Sequence, residues 1–129
     1  MATEYTLGKE ERLKSNLAIQ ELLKHGRIVS GFPLKIYWNV SEYRRQKFSA
    51  RMAVAVPKRK LKRAVDRNLI KRRLRESYRQ NKTILYDPLL ERGIKIELII
   101  LFLSDELISF ADLDARMSEL LLKLAKNLP

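Results

Sequence analysis

From Leu34 to Val40 apolar and polar residues alternate. Leu34, Ile36, Trp38 and Val40 fall on one side and Lys35, Tyr37 and Asn39 on the other, the pattern of a strand with one buried face. Phe48 to Val56 is a second such strand, with Met52, Val54 and Val56 on one face, the small Ala53 and Ala55 on the other, and Pro57 at its end. Ile94 to Leu103 is the most β-prone run of the chain and is expected to be a central, well-covered strand. Helical spacing marks three other segments. Leu17, Ala18, Ile19, Leu22 and Leu23 supply the apolar side of a short first helix, capped by Ser15 or Asn16 and closed by Gly26 after Lys24 and His25. A second helix is expected from about Lys62 to Arg79, where neither Gly nor Pro occurs and Ile70, Leu74, Ser77 and Tyr78 share a narrow face. A third follows Asp112 as its cap, with Leu113, Met117, Leu120, Leu121 and Leu124 directed inward.

The intervening residues read as connections. Arg27 to Ser30 is a short strand before a turn at Gly31 to Pro33. Glu42 to Lys47 is a charged hairpin connection. Asn81 to Gly93 is a connection with Tyr86-Asp87-Pro88 as its turn signal. Residues 1–14 are polar and expected to be extended or loosely packed. The expected order is α-β-β-β-α-β-α over residues 1–129, a single α+β domain with a four-stranded sheet packed by helices.

Charge changes this picture at one place. The formal net charge is +12, and Lys58 to Arg79 alone holds eleven basic residues against Asp66 and Glu76, which is +9 of the total. On the expected helix, Asn68, Lys71, Arg72, Arg75 and Arg79 lie together, away from Ile70 and Leu74. Solvated helices usually mix signs, so so one-sided a face implies a polyanionic partner. Cysteine is absent, which excludes a disulfide framework and thiolate zinc sites. The longest apolar run, Leu98 to Leu103, is far too short to span a bilayer, and a cytoplasmic protein is expected. The lone His25 sits at a helix end, the four glycines are isolated, and the close acidic pairs (Glu10-Glu11, Asp105-Glu106, Asp112-x-Asp114) read as exposed charge or helix caps. None of these would hydrolyse a phosphodiester unaided, and no metal-ligand set is legible.

Lys62-Arg63-Ala64-Val65-Asp66-Arg67-Asn68-Leu69-Ile70-Lys71-Arg72 with Arg75-Glu76 closely resembles the signature helix of the protein subunit of bacterial ribonuclease P, preceded, as there, by a strand and a basic pair, Lys58-Arg59. The family pattern has arginine where Leu69 stands; Lys62, Arg63 or Arg73 are the residues that could supply that charge. The resemblance runs from Arg12 to about Leu124. It implies a fold like domain 2 of ribosomal protein S5 with a left-handed βαβ crossover through the basic helix, an exception to the usual hand. It implies that Lys58, Arg59, Lys62, Arg63, Arg67, Asn68, Lys71, Arg72 and Arg75 bind the catalytic RNA. It further implies an endoribonuclease that removes the 5′ leader of precursor tRNA. The RNA subunit and its Mg²⁺ carry the catalysis, and the protein holds no catalytic residue. A cleft between the first helix and an open sheet face would take the single-stranded leader. Tyr37 matches the family's cleft tyrosine, Lys35 shares its strand face, and Ile19 and Leu23 stand at the positions of two family phenylalanines.

Two other classes fit the basic helix: a ribosomal or RNA-remodelling protein without a nuclease role, and a DNA-binding protein using the helix in a major groove. A DNA reader would show dimer symmetry or a second recognition element, and neither is legible, so DNA is not the expected partner. Fold alone does not separate the first alternative from ribonuclease P; Arg67-Asn68 points to the latter.

Overall fold

The computed structural model describes residues 11–42 and 48–129. Strands β1 (Arg27–Gly31), β2 (Leu34–Val40), β3 (Ala50–Ala55) and β4 (Ile96–Phe102) form one sheet in the order β1-β2-β4-β3. β2 is antiparallel to both β1 and β4, while β3 runs parallel to β4. The helices are α1 (Asn16–His25), α2 (Ala64–Asn81), α3 (Thr83–Arg92) and α4 (Phe110–Lys126). The expected elements are all present, and β4 is central. The hairpin connection, apart from Glu42, and most of the polar N-terminal stretch lie outside the described residues.

The sequence reading misses α3. Tyr86-Asp87-Pro88 sits inside a helix, although Pro88 cannot donate to the carbonyl one turn back. Leu85 and Leu89, one turn apart, are fully buried, and this packing outweighs the lost hydrogen bond. Gly93 ends the helix in the left-handed region (φ 66°), where a side chain would be strained, and its N–H caps α3. A second correction concerns α4. Its cap is Ser109, whose Oγ accepts from the Asp112 N–H at 3.2 Å; Asp112 lies in the first turn, where its charge suits the dipole. Asp114 is no solubilising charge either. Its Oδ1 accepts from Ser77 Oγ at 2.6 Å and from Asn81 Nδ2 at 2.8 Å, joining α4 to α2.

The two faces of the sheet differ. Ile36, Trp38, Met52, Leu98 and Ile100 point into a core closed by α2, α3 and α4. On the other face Leu13, Leu22 and Ile99 form a small cluster, with Ala18, Ile19, Tyr37, Ala53 and Ala55 against it. α1 covers only part of that face: Leu22 is its one buried residue, while Leu17 is 71% and Leu23 44% exposed. Among the described residues no helix is long and apolar enough to cross a membrane.

Candidate nucleic-acid interface

Burial of Ile70, Leu74, Ser77 and Tyr78 fixes the rotation of α2. The opposite side then turns Asn68 and Arg72 to solvent, with Lys71 and Arg75 half-buried beside them. Both acids of the basic stretch are taken up within it. Asp66 faces Arg63 Nε at 3.8 Å, and Glu76 accepts from Arg79, a bond that lowers the Glu76 pKa. Among the described residues, Lys58, Arg59, Lys62, Lys71, Arg72 and Arg75 have no carboxylate partner. Three of these cations, Lys58, Arg59 and Lys62, are exposed together with Arg63 in the loop that leads into α2, at the positive end of its dipole.

Two arginines are partly engaged at home. Arg67 Nη1 donates to the Leu61 carbonyl at 2.9 Å and the Lys62 carbonyl at 2.8 Å, so it pins the loop that presents Lys62 and Arg63. Arg73 Nη1 donates to the Ile108 carbonyl at 2.6 Å, toward α4. Of the three side chains that could replace the charge missing at Leu69, Arg73 is thus held away, and Lys62 and Arg63 stay exposed.

Sequence reasoning did not single out the segment before α1. Leu13 donates its N–H to the Met52 carbonyl at 2.8 Å, and Arg12 bridges Met52 in parallel along the outer edge of β3. Glu11, expected as exposed charge, is buried: its Oε2 accepts from Lys82 Nζ at 2.8 Å and from Tyr86 Oη at 2.5 Å. Burial first, then Tyr78 and the bond to Glu11, hold the Tyr86 phenol far above its ordinary pKa, so it remains a donor. A buried Lys in α2–α3 and an acid seventy-one positions earlier carry no local signal that would pair them.

The open face of the sheet is ordered in rows. Asn39, Glu97 and Arg51 lie abreast, then Tyr37, Ile99 and Ala53, then Lys35, Leu101 and Ala55. Lys35 Nζ stands 5.2 Å from the Tyr37 ring centroid. Ile19 packs on the same cluster as Tyr37, whereas Leu23 is exposed and outside it. The structure therefore brings Lys35, Tyr37 and Ile19 together and leaves Leu23 apart. Small side chains at 53 and 55 leave room above the sheet. The last row adjoins the end of β3, from which the chain runs to Lys58 and Arg59. At the opposite end a groove of about 380 Å³ is lined by Glu21, His25, Asn39, Glu42 and Glu97, with Glu97 paired to Arg51. An anionic strand is thus favoured at the Lys35 end.

Residues 7–125 match the family model described as Ribonuclease P. The chain belongs to the ribonuclease P protein family. It is similar to the "Ribonuclease P protein component" of two Porphyromonas gingivalis strains, ATCC 33277 and W83, each 35% identical over 125 residues, covering 97% of this chain and 90% of the relative. Among solved structures it resembles the Staphylococcus aureus RNase P protein (22% identity, TM-score 0.69, 90% of this chain and 95% of that one) and the RNase P protein from Thermotoga maritima (19%, 0.64, 92% and 98%). The two structural likenesses support the fold expected of the family.

Proposed function

We propose that this family member binds the catalytic RNA of ribonuclease P through the α2 face and its leading loop, and assists removal of the 5′ leader from precursor tRNA. The observation that carries this reading is the set of cations without carboxylate partners among the described residues on a helix of the family's signature sequence. Lys58, Arg59, Lys62 and Arg63 approach RNA from the loop; Asn68, Lys71, Arg72 and Arg75 from the helix; Arg67 holds the two in register. The leader lies over Tyr37, its phosphates near Lys35, with Ile19 as the apolar wall. The exposed Leu23 flanks this path. Precursor tRNA is thus the substrate, and the enzyme is a ribonucleoprotein acting in the cytoplasm.

The described residues contain no group of three or more His, Asp or Glu side chains that could hold a metal. In this reading Mg²⁺ is held mainly by the RNA, and the protein's contribution is charge and position. Hydrolysis of the phosphodiester belongs to the RNA subunit. Reconstitution tests the proposal: the purified chain is added to a bacterial ribonuclease P RNA at limiting Mg²⁺, and precursor tRNA cleavage is followed. The chain alone is expected to be inactive and to accelerate cleavage by the RNA. Tight RNA binding without acceleration would favour an RNA-remodelling role, and site-specific cleavage by the RNA-free chain would overturn the assignment of chemistry to the RNA.

A further inference from the structure

The edge strand β1 extends the open face beyond Tyr37 and Lys35. Side chains alternate along it: Val29 belongs to the helical core, so Ile28 and Ser30 lie on the open side. The antiparallel register sets Ile28 opposite Tyr37 and Ser30 opposite Lys35. Side chains opposed in this way stand about 4.5–5.5 Å apart at Cβ. Two rows of the open face are therefore four strands wide: Ile28, Tyr37, Ile99 and Ala53, then Ser30, Lys35, Leu101 and Ala55. The first row sets an aliphatic side chain beside an aromatic one. The second sets a hydroxyl beside an ammonium and holds no acid. Ile28 is 50% exposed. Alone on a surface it would mean little, but beside Tyr37 it continues an apolar strip on an edge strand, where uncovered apolar residues invite unwanted pairing. Ser30 is exposed too, and among the described residues its hydroxyl has no hydrogen-bond partner. Four side chains thus offer the two chemistries of a nucleotide, an apolar slot for a base and a pair of donors for a phosphate, about 7 Å apart along the strands.

We infer that β1 is part of the leader path: Ile28 is the side wall for the base that stacks on Tyr37, and Ser30 joins Lys35 in binding the adjoining phosphate. This rests on the reading of the open face as the leader cleft. Continuity with Tyr37 and the acid-free Ser30–Lys35 row favour a single-stranded nucleic acid at this edge. A second copy of the chain is disfavoured, since a protein of net charge +12 repels itself at a lysine-bearing face.

The test uses the holoenzyme reconstituted with a bacterial ribonuclease P RNA and compares affinity for precursor and mature tRNA over a range of salt. Ile28→Ala is expected to weaken precursor binding about fivefold and to leave mature tRNA unaffected. Ile28→Phe, which sets a second ring beside Tyr37, should tighten precursor binding at least about fivefold. Both changes should be silent on a precursor whose leader is abasic. Ser30→Lys should steepen the log–log salt slope for precursor tRNA by about 0.7, and Ser30→Asp should weaken binding and flatten the slope. Neither should alter the affinity of the chain for the catalytic RNA. The Ser30 variants, at an exposed position, decide the matter even where Ile28→Ala lowers stability. Variants of Ile28 and Ser30 that do not separate precursor from mature tRNA, beside a Tyr37→Ala that does, would overturn the role of β1 and leave the cleft standing. Failure of Tyr37→Ala to separate them would overturn the cleft itself. A dimer of the RNA-free chain in sedimentation, abolished by Ile28→Ala, would give this edge to a second copy and overturn the proposal.

Discussion

The helical face of the sheet and its open face are built from the same strands, yet they are packed to different ends. Leu98 and Ile100 look into a core closed by three helices, while Ile99 and Leu101 look toward a cluster covered only by α1. Full burial of a large apolar side chain contributes about 1.5–3 kcal/mol, and many more such side chains are buried on the helical side than on the open one. The open side keeps small residues, a half-buried tyrosine and a lysine where an apolar core would place leucines. A surface left uncovered at that cost in burial is available to a ligand. α2 belongs to both regimes: one side is core, the other carries charge.

The contrast predicts where substitutions act. The largest effect is expected from Leu98→Ala, about 2–5 kcal/mol of stability by chemical denaturation; Leu101→Ala, half-buried on the open face, should cost clearly less, and equal losses would mean that the two faces are packed alike. Next, Tyr37→Ala should weaken binding of precursor tRNA with a leader by about 1–3 kcal/mol and leave mature tRNA nearly unaffected. Equal losses for the two RNAs would make Tyr37 a structural residue. Alkaline pH should act on the helical side. Burial raises the phenols of Tyr78 and Tyr86 above the ordinary 10.0. With the folded value raised, their contribution is complete below the unfolded value and is lost as the unfolded phenols ionise above it. Thermal midpoints should therefore fall from about pH 10 upward, and less steeply in Tyr86→Phe; a parallel decline in the variant would remove Tyr86 from the account. The smallest effect is expected at Leu69. With Lys62 and Arg63 exposed near the start of α2, Leu69→Arg should change catalytic-RNA affinity little, and a tighter complex with a steeper salt slope would show that the charge is missing.

Much of this molecule was legible from local pattern. Period-two alternation placed β2 and β3 and put Lys35, Tyr37, Ala53 and Ala55 on one face, because side chains in a strand can point only two ways. Period 3.6 placed α2 and separated its core side from its basic side. The resemblance carried by Arg67-Asn68 and its neighbours identified the family. Signals that depend on distant partners were not legible. α3 exists because Leu85 and Leu89 meet a core that the sequence near Pro88 does not display. Leu17 and Leu23 stay exposed because the open face offers α1 too little to cover. Glu11 and Asp114 read as surface charge until the fold brings Lys82, Tyr86, Ser77 and Asn81 to them. Sequence by itself determined the periods, the charge distribution and the family, all properties of neighbours along the chain. Tertiary structure decided which charges were buried or paired, because desolvation and Coulomb energy depend on separation in space.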